Sequence, residues 1–232
     1  MRIVLLEDEQ DQADLVKLWL EESGHVVQHF TSAKALLKEI TRDSYDLVIL
    51  DWVLPEMSGI EVLRWLRKNL DWHIPILFTT GRESEEDIVY ALESGADDYM
   101  VKPLRMMEMM ARIKVLGKRS GGYNTGKEKF EALPYVLDPV QQTISRNGDL
   151  VEMTNKEFDL ALFLFRNTGR ILSRGHILEA VWGRSPDINT RTVDTHISRL
   201  RNKLQFNQEE GWRLSAVYQH GYRLENLNQT VH

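Results

Sequence analysis

The sequence predicts an α/β protein: a doubly wound domain on a five-stranded parallel sheet, followed by a smaller α+β domain. Three observations carry this. In the first half, short and nearly all-apolar runs alternate with stretches of helical spacing, the pattern of strands buried on both faces by covering helices. In the second half that alternation gives way to a hairpin signal, three helical stretches and a closing pair of strands. The charge divides at the same place. Residues 1–117 hold 13 Lys+Arg against 22 Asp+Glu, a net of −9, whereas residues 118–232 hold 16 against 13, a net of +3.

The elements follow in order. Runs 3–6, 47–50 and 74–78 are almost wholly apolar and read as buried strands; 26–30 and 99–101 are weaker strands. Helical stretches lie between them at about 10–22, 32–41, 58–69, 85–94 and 105–117. In the first of these Ala13, Val16 and Leu20 keep the spacing of one helix face. Five β-α units result, hence the doubly wound sheet. Residues 118–129 hold three Gly and little that is apolar, and read as a flexible linker. Beyond it, Asn147-Gly148 sits between strand-like segments within 141–153, a type I′ hairpin signal. Thr154 and Glu157 have capping-box spacing and open a helix to about Asn167. Ser173 caps a second helix to about Trp182, a third runs from about Thr190 to Leu204, and strands at 213–217 and 222–224 close the chain. Strands, three helices and a terminal hairpin predict a winged helix-turn-helix domain. The expected boundaries are 1–117, linker 118–129, and 130–227.

Composition removes several function classes. The chain has no Cys, so disulfides, thiolate metal sites and a Cys nucleophile are excluded. No apolar run approaches the roughly 18 residues that span a bilayer, and the N-terminus lacks a signal-peptide pattern. A cytoplasmic protein without membrane contact is expected. The acidic half would be repelled by DNA; the basic half is suited to it.

In an open α/β sheet, ligands bind beyond the carboxyl ends of the strands. Here those ends carry Glu7, Asp8 and Glu9, then Asp51, then Thr79 and Thr80, then Lys102 and Pro103. Clustered carboxylates repel unless a cation joins them, and hard oxygen ligands with room for water suit Mg²⁺. A bound cation would neutralise phosphoryl oxygens while a carboxylate attacks phosphorus. Lys102 could hold another phosphoryl oxygen, and Thr79 could hydrogen-bond a third. Asp51, at the end of the central strand, is the nucleophile candidate.

These residues, with the segment 50–59 (Leu-Asp-Trp-Val-Leu-Pro-Glu-Met-Ser-Gly) and 95–103 (Gly-Ala-Asp-Asp-Tyr-Met-Val-Lys-Pro), resemble a response-regulator receiver domain. The second half resembles the winged-helix effector of the OmpR/PhoB subfamily. The resemblance implies a two-component response regulator, a sequence-specific transcription factor rather than an enzyme. It implies that a sensor histidine kinase phosphorylates Asp51. It also implies that Glu7, Asp8, Asp51 and the backbone carbonyl of Val53 bind Mg²⁺. Lys102, next to a cis bond to Pro103, would contact the phosphoryl group; Thr79 and then Tyr99 would turn inward as the switch. Asp97, Asp98, Glu108 and Arg112 fit the ion-pair pattern of the face through which such receivers form homodimers. Relatives often carry Ala or Gly where Thr80 stands, next to the path of a hydrolytic water.

In the helix from Thr190, positions Val193, Ile197, Leu200 and Leu204 form one apolar face. Thr192, Thr195, His196, Arg199, Asn202 and Lys203 share the opposite face, with Arg191 and Arg201 beside it. Such a face suits the major groove of double-stranded DNA. The resemblance makes this the recognition helix. It implies phosphate contacts for Arg174, His176, Arg191 and Arg201, and base contacts for Thr195, His196 and Arg199. In the wing, 218–223 read Tyr-Gln-His-Gly-Tyr-Arg where relatives often have Arg-Gly before Gly-Tyr. His220, Tyr222 and Arg223 are the candidates there. The loop 183–189 resembles the segment that touches RNA polymerase. Two other readings are open. One is a Mg²⁺-dependent phosphatase with an Asp nucleophile, which usually has a second Asp two residues on, where this chain has Val53. The other is a DNA-binding protein whose first half serves only to dimerise.

Overall fold

A computed structural model describes residues 1–70, 73–119, 128–183, 189–218 and 220–228. The chain divides into two compact units, Met1–Tyr123 and Asn124–His232. The expected linker 118–129 falls largely on residues outside those described.

The first unit alternates strand and helix throughout: β1 Arg2–Leu6, α1 Gln10–Glu22, β2 Val26–Phe30, α2 Ala33–Ile40, β3 Leu47–Asp51, α3 Gly59–Asn69, β4 Ile76–Thr80, α4 Glu85–Glu93, β5 Asp98–Val101 and α5 Met106–Arg119. The strands are parallel in the order β2-β1-β3-β4-β5. The apolar runs follow from two cores, one on each face. Val4, Leu6, Val48, Leu50, Ile76 and Phe78 pack toward α2, α3 and α4. The alternate residues Ile3, Leu5, Leu47, Ile49 and Leu77 pack with Ala13, Val16 and Leu20 of α1 and Met109, Ile113 and Leu116 of α5. A strand that serves two cores has no polar side, so its sequence cannot alternate.

The order of strands places the site. It reverses at β1: the chain leaves β1 to one side for β2 and returns on the other for β3. Loops diverge at that switch point and leave a crevice over the carboxyl ends of β1 and β3. The register sets Leu6 beside Leu50 and Asp51 beside Thr79. Glu7, Asp8, Asp51 and Thr79 therefore arrive at one edge.

The second unit begins with a four-stranded antiparallel sheet in the order β6-β7-β8-β9: Phe130–Ala132, Tyr135–Asp138, Thr143–Arg146 and Asp149–Val151. The predicted hairpin is β8-β9, with Asn147 at φ 53° and Gly148 at φ 91°, as its turn type requires. β6 and β7 were not anticipated. Helix α6 Asn155–Arg166, the two-residue β10 Leu172–Ser173, α7 Arg174–Trp182 and α8 Arg191–Leu204 follow. The hairpin β11 Trp212–Val217 and β12 Gly221–Asn226 then forms a three-stranded sheet with β10. Val193, Ile197, Leu200 and Leu204 of α8 are buried in one core with Phe158, Leu164, Ile177 and Leu224. Among the described residues no helix is long and apolar enough to cross a membrane.

Candidate functional site

Glu7 and Asp51 are almost fully buried, at 1% and 4% exposure, while Asp8 is exposed. One carboxylate oxygen from each of the three lies within 4.8 Å of the others. Lys102 reaches in from the end of β5 and bridges the two buried acids, its Nζ 2.9 Å from Glu7 Oε2 and 2.8 Å from Asp51 Oδ2. The Lys102–Pro103 bond is cis. Burial, helped by the Asp51 charge, pushes the Glu7 carboxyl up to about 7, although Lys102 works against it. Burial also opposes the Lys102 charge, but its hydrogen bonds to Asp51 and Glu7 outweigh this and raise its affinity for the proton. Three carboxylates against one ammonium leave negative charge, and the exposed Asp8 side leaves room for water. The donor set therefore fits a hard divalent cation.

The frame around Asp51 is set by α3. Ser58 caps that helix in a full capping box: its hydroxyl accepts from the Glu61 amide, and Glu61 accepts from the Ser58 amide at 2.9 Å. A Cβ at Gly59 would fall on the carbonyl oxygen of Asp51, so only glycine lets the helix start this close to the end of β3. Val53 is exposed, and its amide lies 3.4 Å from Asp51 Oδ1.

Thr79 is buried beside Asp51 in the register. Thr80 is fully buried and turned away from solvent: its Oγ1 accepts from the Arg82 amide at 3.1 Å and so pins the β4-α4 loop. The Tyr99 ring is inward, stacked near Phe78, and its hydroxyl donates to the Arg82 carbonyl at 2.5 Å. Sequence reasoning missed the rest of this loop's anchorage. The Arg82 guanidinium lies 4.8 Å over the Trp52 ring and pairs with Asp87 at 3.2 Å. The dimer-face candidates are paired within the chain. Asp98 meets Arg112 at 2.7 Å and Glu108 meets Arg112 at 2.9 Å. Asp97 is tied to Arg67 and His73, each at 2.6 Å, and to the Ile76 amide.

In the second unit, Arg191, Thr195, Arg199 and Asn202 are exposed along α8, with Thr192 and His196 half-buried. Several residues assigned to DNA have duties inside the fold. His176 is buried at 3% exposure against Phe163, which corrects its assignment as a phosphate contact. Arg201 donates from Nε and a terminal nitrogen to the Leu214 carbonyl, at 3.0 and 2.7 Å, and so ties α8 to β11. Arg174 pairs with Asp194 at 2.8 Å, Tyr222 donates to the same carboxylate at 2.7 Å, and the Arg174 guanidinium lies over the Tyr222 ring. Lys203 pairs with Glu157 at 2.8 Å, and Arg223 with Glu225 at 3.0 Å. At the wing tip Tyr218 and His220 remain, the His220 Nδ1 2.7 Å from the Tyr218 carbonyl. Most of the loop 183–189 lies outside the described residues.

Comparisons with known proteins agree with both halves. Residues 3–114 match the family described as "Response regulator receiver domain", and 148–224 match "Transcriptional regulatory protein, C terminal". The chain is 37% identical over 225 residues to the sensory transduction protein RegX3 of Mycobacterium tuberculosis (strain ATCC 25618 / H37Rv), covering 96% of this chain and 98% of that one. It is 35% identical over 232 residues to the alkaline phosphatase synthesis transcriptional regulatory protein PhoP of Bacillus subtilis (strain 168), covering 97% and 96%. The response regulator SaeR of Staphylococcus epidermidis (strain ATCC 12228 / FDA PCI 1200) is 32% identical over 225 residues, covering 96% and 97%. A receiver fold ending in this acidic edge, joined to a winged helix-turn-helix and matched along nearly its whole length, makes the chain a two-component response regulator of the OmpR/PhoB family, with a receiver and a DNA-binding domain.

Proposed function

We propose that the protein is a transcriptional regulator switched by Mg²⁺-dependent phosphorylation of Asp51. The observation that carries this is the group of Glu7, Asp8 and Asp51, with oxygens within 4.8 Å of one another and Lys102 bridging the two buried members. Glu7, Asp8, Asp51 and the Val53 carbonyl would hold the metal, which supplies charge neutralisation at the phosphoryl oxygens. In the reaction an Asp51 oxygen attacks the phosphorus of a phosphohistidine on a sensor kinase. The P–O bond forms as the P–N bond breaks, and the leaving imidazole nitrogen keeps the electron pair and takes up a proton. Lys102 leaves its bridge to meet a phosphoryl oxygen, and Thr79 donates a hydrogen bond to another. Tyr99, with its hydroxyl on the β4-α4 loop, senses the movement of that loop.

The output is DNA binding. Arg191, Thr195 and Arg199 of α8, with Thr192 and His196 beside them, face the major groove; His220 and Tyr218 at the wing tip reach the neighbouring groove. Phosphorylation favours a homodimer in which Asp98, Glu108 and Arg112 exchange their internal pairs for pairs across the interface. The loop 183–189 is the contact for RNA polymerase. The test is incubation with a small phosphodonor and Mg²⁺, read by intact mass. The wild type should gain one phosphoryl group and Asp51→Ala none. Undiminished labelling of Asp51→Ala would put the nucleophile elsewhere.

A further inference from the structure

Two side chains of α8, the exposed Thr195 and the half-buried His196 on its flank, direct their protons back into the helix. His196 Nδ1 lies 2.8 Å from the carbonyl oxygen of Thr192, four residues earlier. A carbonyl oxygen only accepts, so Nδ1 carries the proton, and in the neutral ring Nε2 is left as an acceptor. The ring cannot take the other tautomer without losing this bond. Trp182 meets it edge-on, with 4.9 Å between centroids, and fixes its plane. Thr195 Oγ1 donates to the Arg191 carbonyl at 3.1 Å, so the lone pairs it turns outward also accept. Three residues further, Arg199 is exposed and has no ion pair or side-chain hydrogen bond among the described residues. It offers donors only. In chain order these three side chains thus offer acceptor, acceptor, donor.

The major groove turns that order into a base class. Only adenine N6 and cytosine N4 present amino hydrogens there, whereas guanine N7 and O6 present acceptors that suit an arginine fork. Residues 196 and 199 are three apart, about 4.5 Å along the helix axis. That is comparable with the ~3.4 Å step between base pairs. We propose that His196, with its tautomer fixed by the Thr192 carbonyl, makes α8 select an adenine or cytosine within one or two steps of a guanine read by Arg199. This rests on α8 being the DNA-reading helix. It goes further by naming which bases that helix accepts, and which atom makes the choice.

The packing on Trp182 offers a plainer role, in which His196 only joins α7 to α8. The two roles separate by experiment. Full-length protein, treated with phosphodonor and Mg²⁺, is used to select binding sites from random duplexes at mildly alkaline pH. Each invariant adenine or cytosine is then replaced, one at a time, by purine or 2-pyrimidinone, which lack the amino group. For wild type, one replacement next to the guanine should weaken binding about five- to tenfold, the loss of one hydrogen bond to a base. His196→Ala should bind more weakly overall but should not distinguish that analogue from the natural base. Packing alone predicts equal losses for both proteins, and that result overturns the proposal. If His196→Ala does not fold, the wild type still decides: no sensitivity to any missing amino group, or invariant positions that are all guanine or thymine, also overturns it. Failure to enrich any sequence would instead remove the DNA-reading role of α8 itself.

Discussion

Burial raises the Glu7 carboxyl from 4.5 to about 7, which means that the folded protein holds this proton more tightly than the unfolded chain. Stability falls with rising pH wherever the folded state binds more protons. For Glu7 that window runs from 4.5 to about 7, and the loss is complete above it. A divalent cation at the cluster competes with the same proton. In metal-free buffer the Tm of wild type should therefore fall, relative to Glu7→Gln, as pH climbs through this window. MgCl₂ should raise the wild-type Tm more above pH 7 than near pH 4.5. Calorimetry of the two proteins checks both, and an equal Mg²⁺ effect at the two pH values would uncouple Glu7 from the metal. The acids themselves were legible in the sequence, because an apolar run marks where a strand ends and the next residue is then at the sheet's edge. The Lys102 bridge was legible only as a convergence. That it joins Glu7 and Asp51, and leaves Asp8 to solvent, depends on side-chain reach, which no spacing encodes.

Elements near the site tolerate little displacement. The start of α3 rests on the Asp51 backbone because Gly59 has no Cβ, and a Cβ there would also meet the Phe78 ring at 2.9 Å. Gly59→Ala should force α3 and β3 apart, cost about 1–3 kcal/mol of stability, and slow phosphoryl uptake without removing Asp51. Denaturation and labelling rates measure the two effects, and a variant with wild-type values for both would show that the contact relaxes freely. In the second unit, helical spacing identified α8 and its buried face correctly, but it could not say which of the outward arginines already had partners. Arg199 has none among the described residues, whereas Arg201 holds the Leu214 carbonyl of β11. Arg201→Ala should cost about 1–2 kcal/mol of stability, since its loss leaves that carbonyl unpaired. Arg199→Ala should leave stability unchanged and reduce discrimination between bases. Thermal melts and DNA titrations on both variants separate these outcomes. The strands β6 and β7 escaped the sequence reading for a related reason. At three and four residues they are too short to show a period, and pairing within a four-stranded sheet is what fixes them.

At the scale of the whole molecule, the two halves differ in charge by sign, −9 against +3. The acidic receiver gains nothing by lying along DNA, so its influence on affinity has to act through association or through the other unit. Two effector units carried by one receiver dimer would meet two half-sites, and the first binding event raises the effective concentration for the second. A gain of about 10²-fold is within reach of such linkage, without any new contact to DNA. The candidate interface is suited to exchange. Arg112 holds Asp98 and Glu108 through surface pairs, which contribute little net stability and can be traded for equivalent pairs on a second copy. Phosphodonor with Mg²⁺ should therefore turn a monomer into a dimer in sedimentation and raise affinity for a two-half-site duplex far more than for a single half-site. Arg112→Ala should blunt both responses while still taking up phosphate. If the phosphorylated protein sediments as a monomer yet binds a single half-site much more tightly, the receiver controls DNA by releasing the effector unit rather than by pairing it.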